Sequence, residues 1–323
     1  MKIIFAGTPE IAVPSLKALA GEFEICAVLT NPDRATGRGR KIVCSPVKEA
    51  ALELGLKVLQ PEKLDEQFIE EVRSLDADLL AVIAFGRIFK KNFIDLFPYG
   101  GINLHPSKLP IYRGPSPLSE AIKNGDEKIA VSVQKLALKM DSGDLLLQPE
   151  LTLDGTETTG SLTERVSILG APLMVEAVRL LQNNKDCGTP QNNSDATFCK
   201  LIQKGDGIIN WGKSSAQIER EIRAYSPWPG SYTHYEDKKL NILEATLYSG
   251  VFNMEKPAGS VLALDKKAGI IIKTGDSALA VQKLQLQSKK PMDYKSFING
   301  NQNFVGSILD QDISGGACAG SRT

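Results

Sequence analysis

The chain has 323 residues, 42% of them hydrophobic, with 38 Lys/Arg balanced by 38 Asp/Glu and only two histidines. That length exceeds what one core usually fills, so two domains are expected, and the ordinary composition excludes a disordered or fibrous chain. The zero formal charge hides an asymmetry: 16 Lys/Arg stand against 12 Asp/Glu from Lys200 onward, and 22 against 26 before it. The second half is therefore mildly basic, which is a hint and not a nucleic-acid signature. Five cysteines (Cys26, Cys44, Cys187, Cys199, Cys318) are scattered without a CxxC pair or histidine cluster, so neither a disulfide framework nor a metal site is expected. A strand begins at Lys2 and no apolar run is long enough to span a membrane, which predicts a cytoplasmic protein without leader or membrane contact; a monomer is expected, though nothing in the sequence fixes the oligomeric state.

Residues 2–9 read as a buried strand ending at Gly7, with Thr8 as N-cap and Pro9 at the first position of the next helix. Val13, Leu16, Leu19 and Ala20 recur at helical spacing, and residues 25–30 read as a second buried strand. This βαβ opening predicts an α/β fold with a doubly wound, mostly parallel sheet. Gly7 lacks the further glycines of a dinucleotide fingerprint, so a nicotinamide cofactor is not expected. Residues 31–41 hold Arg34, Arg38, Arg40 and Lys41 with one carboxylate, two glycines and no apolar periodicity. Such a run is either a solvated flexible loop or a phosphate contact, since glycines let guanidinium forks reach successive phosphates.

Helices are expected over 46–54, 65–73, 118–124 and 162–181, and strands over 56–59, 78–85, 130–136 and 145–148. The alternating pattern of the last two strands suggests antiparallel additions at one sheet edge. Residues 182–200 are polar and turn-rich, the best linker in the chain. Beyond them lie a short helix (215–224), a rigid Pro-Trp-Pro turn, and five strand-like runs that read as a small closed or half-closed barrel. The expected organisation is an α/β domain over 1–190, a linker over 191–205, a β-barrel domain over 206–309 and a disordered tail over 310–323.

The chemistry centres on residues 102–114, Ile-Asn-Leu-His-Pro-Ser-Lys-Leu-Pro-Ile-Tyr-Arg-Gly, and on 140–144, Met-Asp-Ser-Gly-Asp. Asn103 and His105 are two apart, so a strand places both on one face, and Pro106 and Pro110 end that strand in a loop. In open α/β sheets, ligands bind where strands give way to loops. An Asn amide and a His N–H suit the oxyanion of a tetrahedral intermediate, and Asp141 can orient the His and manage a proton. Taken singly, each has a plainer reading: a turn-forming Asn, a scaffold His and a tight Asp-Ser-Gly-Asp turn. No nucleophile elbow and no cysteine beside a histidine competes with the combination.

At these residues the chain resembles the folate-dependent formyltransferases. The family pattern Asn-x-His-x-Ser-x-Leu-Pro-x-x-Arg-Gly stands at residues 103–114, and Leu-Asp-[Ser/Thr]-Gly-Asp at 140–144 with Met140 in first place. Also similar are Phe5-Ala-Gly-Thr-Pro, the basic run from Pro32 to Lys41, Ser45-Pro-Val-Lys, Ile209-Asn-Trp and Ile222-Arg-Ala-Tyr-Ser-Pro-Trp-Pro. The resemblance spans about residues 2–309. It implies a Rossmann-like catalytic domain, an OB-like barrel after it, and Asn103, His105 and Asp141 as the catalytic triad. Ser107, Lys108, Leu109 and Pro110 would line the pocket for 10-formyltetrahydrofolate, with no metal. Arg34, Arg38, Arg40 and Lys41 would contact the acceptor arm of initiator methionyl-tRNA, whose amino group receives the formyl group. The alternative acceptor is an amino sugar nucleotide or another small amine. Three positions depart from the family: Lys108 where Leu is common, Phe85 for Tyr, and Lys90 for Pro.

Overall fold

The computed structural model describes residues 1–36 and 41–309. The expected tail at 310–323, and Arg38 and Arg40 of the basic run, lie outside the described residues. Contacts divide the chain into two units. The first comprises Met1–Leu118, Glu127–Leu153 and Ser161–Lys200, and the second Ser119–Asp126, Asp154–Gly160 and Leu201 onward. Residues 191–200, expected in a linker, thus pack within the first unit.

In chain order the first half holds β1 (Lys2–Gly7), α1 (Val13–Glu22), β2 (Glu24–Leu29), β3 (Arg34–Thr36), β4 (Lys41–Val43), α2 (Pro46–Glu53), β5 (Val58–Leu59), α3 (Glu66–Arg73) and β6 (Leu79–Ile83). There follow α4 (Lys91–Ile94), β7 (Gly101–His105), α5 (Pro117–Asn124), β8 (Lys128–Ala130), β9 (Ser132–Lys135), β10 (Leu145–Leu147), β11 (Glu150–Thr152) and α6 (Thr159–Asn183). A seven-stranded sheet runs β10-β9-β7-β6-β1-β2-β5. The five strands from β7 to β5 are parallel, and β9 and β10 join antiparallel beyond β7. The winding reverses between β1 and β6, the point where such sheets open a crevice at the carboxyl ends of their strands.

Burial on both faces explains why β1 and β6 are continuously apolar: Ile3, Ile4, Phe5 and Ala6 are fully buried, as is nearly all of β6. One face shares a core with α3, whose Asp65 cap accepts from the Phe68 amide at 3.1 Å. The same core takes in an aromatic row at four-residue spacing. Phe85, Phe89 and Phe93 stack at 5.2 and 4.9 Å between centroids, and Phe97 follows at 5.8 Å. Phe85, which begins this row, is 2% exposed.

Thr8 does not cap α1, contrary to the sequence reading. A 3-10 turn at Glu10–Ala12 intervenes with Pro9 at its cap, while Pro14 occupies the first turn of α1. The Thr8 hydroxyl is engaged elsewhere, accepting from Asn31 Nδ2 at 2.9 Å and so tying the ends of β1 and β2. Gly7 is required by close approach, since a Cβ there would lie 2.9 Å from that of Ala12.

The second unit contains α7 (Ser215–Ala224), β12 (Ser231–Tyr235), β13 (Lys238–Leu247), β14 (Val261–Asp265), β15 (Gly269–Lys273), β16 (Ala278–Leu286), β17 (Met292–Asp293) and α8 (Tyr294–Gly300). Its antiparallel sheet runs β12-β13-β16-β15-β14, with β17 beside β16. The alternating residues of β12 bury Ser231, Thr233 and Tyr235 against a core around Trp211, whose Nε1 donates to Thr233 Oγ1 at 3.2 Å. The helix α8 has no counterpart in the sequence reading. Its seven residues are too few for a periodic signal, and it is nucleated by the Asp293 cap, which accepts from the Ser296 amide. No helix among the described residues is long and apolar enough to cross a membrane.

Two glycines of the first unit test how tightly its backbone is packed. A Cβ on Gly143 would lie 1.8 Å from the Lys135 carbonyl oxygen, whereas Gly21 in α1 has nothing within 4 Å. Gly143→Ala should therefore destabilise the fold by about 1–3 kcal/mol through forced backbone movement. Gly21→Ala should stabilise it by about 0.5–1 kcal/mol by lowering unfolded-chain entropy. Urea midpoints of the two variants against wild type provide the check.

Candidate active site

Asn103 and His105 end β7 on one face of the strand, while Leu104 between them points to the opposite face and meets Gly170 of α6. A Cβ at Gly170 would stand 2.4 Å from Leu104 Cδ1, so the bare backbone of α6 lets the helix seat the strand closely. His105 is 5% exposed. Its Nε2 donates to the Tyr112 carbonyl at 2.9 Å, and its Nδ1 lies 3.6 Å from Asp141 Oδ2. Both ring nitrogens therefore face oxygen, one in a hydrogen bond and the other at ion-pair range. The half-buried carboxamide of Asn103 makes no hydrogen bond to the protein among the described residues.

Asp141 sits at φ 47°, a left-handed conformation that costs a non-glycine residue of order 1–3 kcal/mol unless its surroundings hold it. They do so from both sides. Oδ2 accepts from the Gly114 amide at 2.8 Å and Oδ1 from Gln134 Nε2 at 3.1 Å. Gln134, 2% exposed on β9, also accepts from the Gly143 amide at 3.1 Å through Oε1. Tyr112 is left-handed as well, at φ 57°, which presents its carbonyl to His105. The sequence reading gave no role to Tyr112, Gln134, Arg113 or Gly114, the last two standing only as closing positions of the 103–114 pattern. For Gln134 a signal existed, a polar residue on the inward face of an alternating strand. For the others only the loop's path reveals the role.

The loop after β7 is held largely by its own hydrogen bonds. Ser107 Oγ donates to the Ile111 carbonyl at 2.6 Å, and Ser132 Oγ donates to the Ser107 carbonyl at 2.6 Å. Gln148 Nε2 donates to the Leu109 carbonyl at 2.9 Å, and Leu109 is 2% exposed before a cis bond to half-buried Pro110. Lys108 is exposed and turns away to Glu150 at 2.6 Å. That hydrogen bond, with the Lys108 and Lys128 charges, holds the Glu150 carboxyl below the usual range.

Of the basic run, Arg34 is exposed on β3, and Lys41 begins β4, the antiparallel partner of β3. The base of this hairpin is tied to the carboxyl ends of the central strands. Asp33 accepts from Lys48 Nζ at 2.6 Å and from Gln60 Nε2 at 2.8 Å. These bonds hold its carboxyl below the ordinary range and raise the Lys48 ammonium above its own. Asn31 Nδ2 donates to the Phe85 carbonyl at 2.7 Å, and Arg87 Nε donates to Asn31 Oδ1 at 2.7 Å. A hollow of about 460 Å³ lined by Gln60, Pro61, Asp65 and Phe68 among others includes neither His105 nor Asp141.

The formyl transferase family model matches residues 1–178, and that of the formyl transferase C-terminal domain matches residues 201–302. The methionyl-tRNA formyltransferase of Treponema denticola is 41% identical over 316 residues, covering 94% of this chain and 98% of its own. Among solved structures, the N-formyltransferase of Helicobacter canadensis in complex with folinic acid and dTDP-3-aminofucose has a TM-score of 0.64 at 22% identity, over 87% of this chain and 99% of that one. The methionyl-tRNA formyltransferase of Clostridium thermocellum has a TM-score of 0.55 at 19% identity, over 78% and 95%. At such identities the solved structures speak for the fold, whereas the sequence match to the Treponema enzyme runs through both units and nearly end to end. The chain belongs to the methionyl-tRNA formyltransferase family.

Proposed function

We propose that this chain transfers the formyl group of 10-formyltetrahydrofolate to the α-amino group of the methionine carried by initiator tRNA, in the cytoplasm. The observation that carries the reading is the His105–Asp141 pair at the end of β7, beside an Asn103 amide with donors to spare. The amine nitrogen attacks the formyl carbon and the carbonyl electron pair moves onto oxygen. Collapse of that intermediate expels N10 of the folate, which takes up the proton the amine gives up. The oxyanion is received by the Asn103 amide and by the His105 Nε2 proton. In this structure that proton is given to the Tyr112 carbonyl. A developing negative oxygen competes for it, because a charge-assisted hydrogen bond is roughly twice as strong as a neutral one. Asp141 orients the ring and relays the amine proton through water. The folate lies along Ser107, Leu109 and Pro110, with Lys108 contributing its stem since Glu150 holds its ammonium. Arg34, Arg38, Arg40 and Lys41 meet phosphates of the acceptor arm. An amino sugar nucleotide is the rival acceptor, and four cations in eleven residues suit a polyanion better than one small nucleotide.

Formate released by base from product made with charged initiator tRNA, but not from product made with amino sugar nucleotides, is the expected result. In the same assay, His105→Ala and Asp141→Asn should each lower kcat by roughly 10²–10³-fold, as loss of a transition-state donor does. Both KM values should stay within a few-fold, because these groups act on charge that exists only in the transition state. Near-normal kcat in either variant removes that residue from the mechanism.

The double change Arg38→Ala with Arg40→Ala should raise KM for charged tRNA and leave KM for the folate in place. The slope of log KM against log salt should flatten by up to about two units, near 0.9 per lost duplex phosphate contact. An unchanged slope returns the segment to a solvated surface turn.

A further inference from the structure

Residues 189–199 look like a linker in the sequence, yet they form a strap across both halves of the site. Leu145 and Thr189 exchange backbone hydrogen bonds at 2.8 and 2.9 Å. Two residues on, the side chain of Gln191 reaches under the strap. Its Nε2 lies 2.7 Å from the Gly143 carbonyl, 3.0 Å from the Asp141 carbonyl and 3.1 Å from Gln134 Oε1. Its Oε1 accepts from Arg113 Nη2 at 2.7 Å and Nε at 3.2 Å. Arg113 is 4% exposed and donates again to Asn193 Oδ1 at 2.9 Å, with no carboxylate partner among the described residues. Further along, Thr197 Oγ1 accepts from the Tyr112 amide at 2.9 Å, and the Thr197 carbonyl accepts from the Arg113 amide at 2.9 Å.

The strap therefore grips the two left-handed residues that place atoms around His105. Asp141, whose carboxylate faces Nδ1, is held through its carbonyl by Gln191. Tyr112, whose carbonyl takes the Nε2 proton, is held through its amide by Thr197. We propose that Gln191, with Thr197, is a positioning residue for the His105–Asp141 pair, acting from a segment outside both site motifs. A backbone in a disfavoured conformation relaxes when its contacts go, and a displacement of about 1 Å at a reacting group can cost on the order of 10²-fold in rate. The inference rests on the catalytic reading of that pair.

Gln191→Glu separates the two ends of the amide. The carboxylate keeps an acceptor for Arg113 and sets oxygen against the three oxygens that Nε2 now serves. In the full-length chain, folded by far-ultraviolet circular dichroism, kcat should fall roughly 10- to 100-fold while both KM values stay within about threefold. Gln191→Met, similar in length and without a polar end, should do the same and serves should the carboxylate disturb folding. Thr197→Val should lower kcat in the same direction. The chain has only two histidines, so the His105 ring resonance can be assigned by nuclear magnetic resonance with a His234→Gln variant. That resonance should move in Gln191→Glu. A kcat within about twofold of wild type, a loss that appears equally in kcat and KM, or an unmoved His105 resonance overturns the proposal. If the wild-type chain formylates no charged tRNA, the functional reading fails by itself, and the resonance still decides whether Gln191 positions the pair.

Discussion

The seating of the 140–144 turn on β9 is the constraint from which the site derives. Gly143 comes so close to the Lys135 carbonyl that a methyl group has no place between them. The Lys135 amide donates to the Asp144 carbonyl at 2.9 Å, which fixes the turn against the strand edge. With the turn pressed there, Asp141 is forced into its left-handed conformation and its carboxylate swings toward β7. Because β9 pairs antiparallel with β7, Gln134 stands directly opposite Asn103, and from that place it reaches the Asp141 carboxylate. One antiparallel strand added to a parallel sheet thus carries the Asp141 carboxylate to His105.

His105 is restrained by a balance of acceptors and not by a tight salt bridge. A carbonyl on one ring nitrogen and a carboxylate at 3.6 Å from the other define the ring plane without tying either partner at full strength. The carboxylate is meanwhile satisfied by a backbone amide and a buried glutamine. Its charge is therefore held by fixed dipoles that need no rearrangement when charge moves nearby, the condition under which electrostatic stabilisation works best. The cost is two strained backbone positions, which is why so many hydrogen bonds converge on them.

A similar economy marks the basic hairpin. Its segment has a single carboxylate, Asp33, and the fold turns that group inward to Lys48 and Gln60. The internal anion is thereby matched by a cation from α2, while the neighbouring Arg34 stays exposed. The same network runs through Asn31 to Thr8, Phe85 and Arg87, so the hairpin springs from the crevice where the winding of the sheet reverses.

Much of this was legible in the residues. Continuous apolar runs at β1 and β6 announced a sheet buried on both faces, alternation in β9 announced its antiparallel edge, and the two-residue spacing of Asn103 and His105 put them on one face. Those features depend on period and burial, which local sequence encodes. Helix α8 was too short for a period to register, and the capping role expected of Thr8 gave way to a tertiary bond with Asn31. The strap was hidden for another reason: Gln191, Asn193 and Thr197 are the same residue types that make a solvated linker, and polarity alone does not tell which partner a polar side chain meets. Sequence by itself determined most of the strands and helices, their order, and the two motifs whose His105 and Asp141 the fold brings to 3.6 Å. How the strap holds them at working distance was decided only by the tertiary structure, because a hydrogen bond such as Gln191 to Asp141, 50 positions apart, or Tyr112 to Thr197, 85 apart, depends on where the sheet brings the chain and leaves no local pattern.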